Sequence, residues 1–327
     1  MCLTGVILAG CAKPTDPESL TPESGGYRVV TKFQTPGYAQ DVVVRDTIAY
    51  VAQGEGGVAI VSIADRTRPR LITVCQDGVR GYSYKIALKD STLYVAASGF
   101  GVNVIDVSHA EAPFATVSNL SMKPAHSFHV FGNYLLTAVG ETGVKIAEIS
   151  TPTLPDIRGG VQNPGYAMAL TTTADGVYLL VACGEMGLAI YDVRDMRDGF
   201  GGYRQVGWTD TPGYANDVAV MPDRNIAFLA CGFGGMQVID FTDTTNIRLV
   251  GHYATGGYAK EIAVDKHRVY VTTEGRGLQV FSTDQPASPQ PVGAIDTEYA
   301  LALTIDQDYV YVADEEEGLI VIAIPAY

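Results

Sequence analysis

Two histidines, His126 and His129 in "PAHSFHVF", are the residues of this chain best suited to hold a metal or move a proton. Imidazole nitrogens ligate divalent metals and titrate near neutral pH. Both belong to a larger pattern in which an aromatic residue is followed, three positions on, by a second residue. Tyr38, Tyr82, His126, Tyr166, Tyr214, Tyr258 and Tyr299 lead to Asp41, Lys85, His129, Ala169, Asp217, Glu261 and Ala302. Such a set offers three kinds of chemistry. His126, His129 and Asp41 have the donor types for a divalent cation, the only cofactor the residues suggest; otherwise none is expected. The same three groups could serve as acid, base or cation ligands in a hydrolase or lactonase. The tyrosines could wall a funnel for a sugar, a peptide or another flat ligand. A structural role competes with each: tyrosines repeated by every unit brace neighbouring units through ring and hydroxyl, and opposite charges in a narrow channel pair with each other. Asp41 is accordingly expected to meet Lys85.

Established catalytic signatures are missing. There is no G-x-S-x-G elbow, no H-E-x-x-H, no P-loop and no G-x-G-x-x-G that opens a helix. The glycine-rich turns ("QGEGG", "GETG", "GFGG") join strands, so they offer no helix N-terminus to a phosphate. The turn acids Glu55, Glu141, Glu185, Glu274 and Glu315 to Glu317 could attract Ca²⁺, but no continuous acidic loop of the EF-hand kind is present. With a formal net charge of −14, the chain lacks the basic surface that a nucleic-acid backbone requires.

The elements that must position these residues come from a repeat. The aromatic position recurs at steps of 44, 44, 40, 48, 44 and 41 residues, with His126 in the place of Tyr in the third copy, so there are seven copies. Each copy holds an apolar first segment ("DVVV", "KIAL", "EIAV"), a β-rich second ("AYVAQG", "VYVTTEG"), a Gly-bearing turn, a third ("GVNVIDV", "GLAIYDV") and a short fourth ("PRLITVCQ"). Short runs rich in Val, Ile and Tyr, punctuated by Gly, Pro, Asn and Asp, are strands and turns. Four strands in roughly 40 to 45 residues predict the blade of a β-propeller. The second and third segments are apolar almost throughout, as sheets covered on both faces must be.

The expected fold is therefore all-β, a seven-bladed propeller over residues 27–327. The seventh copy stops after its third strand, "LIVIAIPAY", while an orphan strand, "YRVVTKFQ", precedes the first. Tyr27 to Gln34 should complete the seventh blade and close the ring. The leading loops and the turns between second and third strands then share one face, which is where a concave site is expected.

The third strands "VNVIDV", "LAIYDV" and "MQVIDF" resemble the LVIVD repeat of predicted bacterial surface or secreted propellers, and the likeness runs over Tyr27 to Tyr327. Blades three ("VKIAEI") and six ("LQVFST") lack the closing Asp, so their next turn should be built differently. The resemblance implies a binding or scaffolding role and supplies no catalytic residues.

At the N-terminus, Leu8-Ala9-Gly10-Cys11 resembles a bacterial lipobox. The resemblance implies a signal remnant over 1–11, a lipid on Cys11, and a polar tether over 12–26. No Lys or Arg precedes Cys11, although a signal peptide carries a basic n-region, so the true start is expected upstream. The expectation is an exported protein held at the cell envelope, outer membrane or cell surface, touching the membrane by its lipid alone. Its partner would be a protein, peptide or glycan there, or it would be a subunit of a larger envelope complex. Cys75, Cys183 and Cys231 are too few and too odd in number for a disulfide framework and should be buried thiols.

Overall fold

In the computed structural model, residues 24–195 and 202–326 are described; the lipobox with Cys11, Cys2 and most of the tether lie outside them. Among the described residues twenty-eight strands, β1 to β28 in chain order, form seven four-stranded antiparallel sheets. Blade one shows the pattern: Asp41–Arg45 innermost, then Ile48–Ala52, Val58–Ser62 and Arg70–Cys75 outward. Blades two to six span 85–120, 127–161, 169–209, 217–253 and 258–295, and blade seven 300–323. The N-terminal strand β1, Arg28–Phe33, pairs antiparallel with Gly318–Ala323 and supplies the outermost strand of blade seven. The ring is closed by the segment that the repeat left over.

Seven apolar clusters lie one at each junction between neighbouring blades. The cluster between blades four and five, for example, joins Leu180, Ala182 and Ile190 to Val218, Leu229 and Phe241. The one between blades seven and one joins Tyr311, Leu319 and Val321 to Val42, Val51 and Val61. Second and third strands are buried on both faces because each face meets another sheet, which is why their sequences show no alternation. Burial of apolar area at about 25 cal/mol per Å² is thus spread over the ring, and no blade owns a core of its own.

The aspartate that closes the third strand caps the following turn. Asp106 accepts a hydrogen bond from the Ser108 amide at 2.8 Å, and Asp240 from the Thr242 amide at 3.0 Å. Where it is missing the turn is indeed built differently: Ser282 Oγ accepts from the Asp284 amide at 3.2 Å, and Glu148 accepts from the Ser150 hydroxyl at 2.8 Å. Cys75, Cys183 and Cys231 are free and buried. No helix among the described residues is long and apolar enough to cross a membrane.

Candidate functional site

The leading loops and the turns between second and third strands do share a face, and they hold each other across blade junctions. At the junction of blades four and five, Gly184 and Ala215 exchange two backbone hydrogen bonds, 3.2 and 2.9 Å long. Gly184 has φ +58, and a Cβ added there would stand 2.8 Å from the Tyr214 ring. The "GYA" motif is therefore a latch. A glycine of one blade takes a left-handed turn conformation that costs an L-residue about 1–2 kcal/mol. The tyrosine of the next blade lies against that glycine, and the small buried residue after it completes the bridge. Gly54 with Tyr82 and Ser83, Gly140 with Tyr166 and Ala167, and Gly232 with Tyr258 and Ala259 repeat the arrangement. The bracing role of these tyrosines comes from ring on glycine more than from hydroxyl on backbone.

The third copy requires a correction. Its bridging residue is Ala125, paired with Ser98, so Pro124 stands in the tyrosine place, not His126. Ser127, not His129, stands level with Asp41, because Ser127 lies opposite Ala138 as Asp41 lies opposite Ala52. The spacing points two residues too far because a second ring, His126, follows the true position. Blade seven differs too: Tyr299 itself occupies the bridging place opposite Glu274, and a bulge between Ala300 and Ala302 restores the register. Tyr38 at the seam has no bridge among the described residues and is 60% exposed.

The innermost strands thus present one polar layer to the channel at Asp41, Lys85, Ser127, Ala169, Asp217 and Glu261, whereas Ala302 is buried in the junction with blade one and Leu301 borders the upper cavity in its place. Lys85, Ser127, Asp217 and Glu261 border both an upper cavity of about 340 Å³ and a lower one of about 370 Å³, so the layer is the waist of the channel. Lys85 Nζ lies 2.5 Å from Glu261 Oε2 on the far side and 3.5 Å from Asp41 Oδ2. The expected Asp41–Lys85 pair is present and is the longer of the two contacts. Asp41 also accepts from its neighbour's backbone, the Ile86 amide at 2.9 Å, and Asp217 likewise from the Ile262 amide at 2.9 Å. An innermost strand has an open edge, and these two aspartates satisfy one amide of it in the next blade.

One ammonium faces three carboxylates here, and burial shifts them all. Desolvation raises Asp41, raises Asp217 to about 6, and raises Glu261 to about 8, while Lys85 opposes each of these shifts. Lys85 itself is pushed up by the surrounding carboxylates, Asp41 first, against its own burial.

The histidines do not join this layer as a metal set. His126 Nε2 is 2.9 Å from the Tyr166 hydroxyl and Nδ1 3.4 Å from that of Tyr84, at the channel mouth. His129 points the other way along its strand, with Nε2 2.9 Å from Thr172 Oγ1. Burial lowers both imidazoles, His129 to about 4, so they are neutral at pH 7. Among the described residues no group of three His, Cys, Asp or Glu is placed to hold a metal ion. His126, His129 and Asp41 therefore occupy three separate hydrogen-bonded positions, each with partners of its own. The waist lines up with Tyr84 and Ser127, which spacing alone did not mark as channel residues; counting back from the second strand would have found Ser127.

The rim around the mouth is aromatic and acidic. Tyr38, Tyr82 and Tyr299 are 60%, 39% and 43% exposed, and Phe233 in the blade-five turn is 89% exposed. The turn acids Glu274 and Glu315 border the upper cavity. A separate cavity of about 860 Å³ opens on the opposite face, among loops of blades four to six.

This geometry defines a seven-bladed propeller with a constricted polar channel. The chain carries the LVIVD repeat, which matches residues 36–77, 124–162, 212–255 and 299–325. Among solved structures it is similar to the WD40 β-propeller domain of Doa1 (TM-score 0.67, 12% identity, 91% of this chain and 97% of that one). It is also similar to the computationally designed Ika8 protein (TM-score 0.62, 10% identity, 90% and 99%). At such identities both show the fold alone. No curated protein sequence matches.

Proposed function

We propose that this LVIVD-repeat propeller is a binding or scaffold module that presents its acidic, tyrosine-rich channel face to a protein, peptide or glycan at the cell envelope. We further propose that it is exported and held there by a lipid on Cys11. The observation that carries the reading is the contrast on that face between braced and free aromatics. Tyr166 and Tyr214 are seated on latch glycines, whereas Tyr38 and Phe233 stand open to solvent, Phe233 with its ring edge-on to Tyr258 at 5.0 Å. Exposed aromatics within a polar rim are what recognition surfaces use as anchors.

A photo-crosslinking residue placed at Tyr38 or Phe233 of the full-length protein in its native envelope should give a discrete crosslinked species. The same residue at Leu154, 66% exposed on a loop of the opposite face, should not. Equal yields from both faces, or none from either, would remove the channel face as the binding surface. For the anchor, metabolic labelling with a fatty-acid probe should mark the protein and be lost in Cys11→Ser.

A further inference from the structure

The upper chamber of the channel, about 340 Å³, is bordered by a further ring of side chains that stand just before the waist. In blades one to six these are Gln40, Tyr84, His126, Met168, Asn216 and Lys260, and blade seven adds Leu301. Their backbones are alike: the amides of Gln40, His126, Met168 and Asn216 donate to the second-strand carbonyls of Ala52, Ala138, Ala182 and Ala230 at 2.8 to 2.9 Å. Their side chains differ in every blade, whereas the latches repeat a glycine and a ring. The fold does not require that variety, which leaves it open to recognition.

Three features of the chamber narrow what it takes. The first is Ser127, 6% exposed in the chamber floor, whose hydroxyl has no hydrogen-bond partner among the described residues and opens to the channel. Beside it the floor holds only Ala169, so this side of the waist carries no charge. The second is a mixture of donors and acceptors. Asn216 Nδ2 donates to the Ala259 carbonyl at 2.9 Å, which fixes the amide and leaves Oδ1 to accept. Asp217 accepts from the Ile262 amide and has no ion-pair partner among the described residues, and Ser127 can both donate and accept. The third is charge. Both ammoniums are already paired, Lys85 with Glu261 and Asp41, and Lys260 with Glu274 at 3.1 Å. An anion would meet Asp217 and Glu315 with no spare cation, and among the described residues no three ligating side chains converge on a metal.

We infer that this chamber binds one uncharged sugar ring, with its hydroxyls on Ser127 Oγ, Asn216 Oδ1 and Asp217 and its C–H faces against Met168 and Leu301. A sugar hydroxyl donates and accepts at once, so a carboxylate or amide oxygen takes its proton while a serine supplies the return bond. The chamber lies at the small end of ligand pockets, about 300–1,000 Å³, which suits a single ring and not a peptide loop. Tyr82 and Tyr299, partly exposed on the rim, give a following sugar an aromatic face. The inference rests on the channel face being the binding face and commits that face to a glycan among the ligands proposed for it. The ring is that of a free sugar or the end of a chain.

The test is saturation-transfer NMR on the full chain with methyl glycosides of glucose, galactose, mannose and N-acetylglucosamine, beside glucuronate and glucosamine as charged sugars. At least one neutral glycoside should bind, and both charged sugars should bind about tenfold more weakly or not at all. Ser127→Ala should weaken the neutral glycoside about fivefold. Met168→Trp, which fills the chamber from a half-buried position, should abolish binding with folding unchanged. Phe233→Ala, on the same face outside the chamber, should change it by less than about twofold. A matched trisaccharide that binds more tightly, with the gain lost in Tyr82→Ala, would identify a glycan end; equal affinities would identify a free sugar. Binding of no neutral glycoside would overturn the inference. So would equal or tighter binding of glucuronate or glucosamine, or binding that survives Met168→Trp. Crosslinking from Tyr38 and Phe233 would persist through those outcomes, so failure of the chamber is distinguishable from failure of the face.

Discussion

The junction of blades four and five and the junction of blades six and seven do the same job with different parts. Between four and five, Gly184, Tyr214 and Ala215 form a latch with two reciprocal backbone bonds. Between six and seven, Glu274 and Tyr299 form the bridge, the Gly275 amide donates to the Glu298 carbonyl at 2.9 Å, and a glutamate stands where the latch has its glycine. Both junctions keep a full apolar cluster behind them. Cohesion of the ring therefore lives in the clusters, and the latch sets the geometry of the face. A blade can give up its latch and free that part of the face for another use. The seam between blades seven and one is similar: it lacks the latch and is tied on the opposite face, where the Arg66 guanidinium donates to the Tyr311 hydroxyl at 2.7 Å.

The largest effect should come from the unlatched side. Removal of residues 27–34 strips the outer strand from blade seven and uncovers the edge of Gly318–Ala323. Cooperative urea unfolding should be lost or reduced to a broad transition, with amide exchange fastest in blade seven. Retention of a wild-type midpoint would mean that latches and clusters close the ring without the strand.

A test of the channel waist, which ties blades one, two and six across both regions, comes next. Lys85→Met leaves three carboxylates without their cation and should cost about 2–3 kcal/mol, toward the low end of what breaking a buried pair costs because Lys85 retains some exposure. The waist also gives a pH dependence. Asp217 and Glu261 have folded-state values raised above those of the unfolded chain, so the native state binds more protons in the window between them. Their contribution to stability is full below about pH 4, where the unfolded carboxylates also protonate, and is lost as pH rises through about 6 and then about 8. Unfolding midpoints measured from pH 5 to 8.5 should fall with pH, and Glu261→Gln should flatten that slope. An unchanged slope in the variant would show that the waist does not titrate there.

Latch residues should give an effect of the same order. Gly184→Ala combines a positive φ with a Cβ 2.8 Å from the Tyr214 ring and should cost about 2–4 kcal/mol. Gly99→Ala, in the turn of blade two where a Cβ would meet nothing within 4 Å, should stay within about 0.5 kcal/mol. Equal costs would mean that the ring contact contributes nothing.

The smallest contrast separates the tyrosines themselves. Tyr214→Ala removes a ring seated on Gly184 and should cost about 1–2 kcal/mol. Tyr38→Ala removes a ring that is 60% exposed and should be nearly neutral for stability while lowering ligand binding. A destabilised Tyr38 variant would place that residue with the braced tyrosines.

The sequence by itself determined the blades. Segment order, glycine turns and the near-continuous apolar second and third strands are local features, and a seven-fold repetition of them leaves one architecture that buries every sheet on both faces. The leftover strand "YRVVTKFQ" and the unfinished seventh copy even identified how the ring closes. The pairing of Asp41 with Lys85 was legible too, because neighbouring repeats place equivalent residues side by side. What only the tertiary structure decided was register within the deviant copies and the company each polar residue keeps. In blade three His126 imitates the missing tyrosine two residues on, and the Ser98–Ala125 bridge fixes the true position. That Lys85 reaches across to Glu261, 176 residues away, follows from the width of the channel, a dimension no single blade contains. Local pattern selects strands and turns, whereas a site on a propeller axis is made by residues that share only a radius.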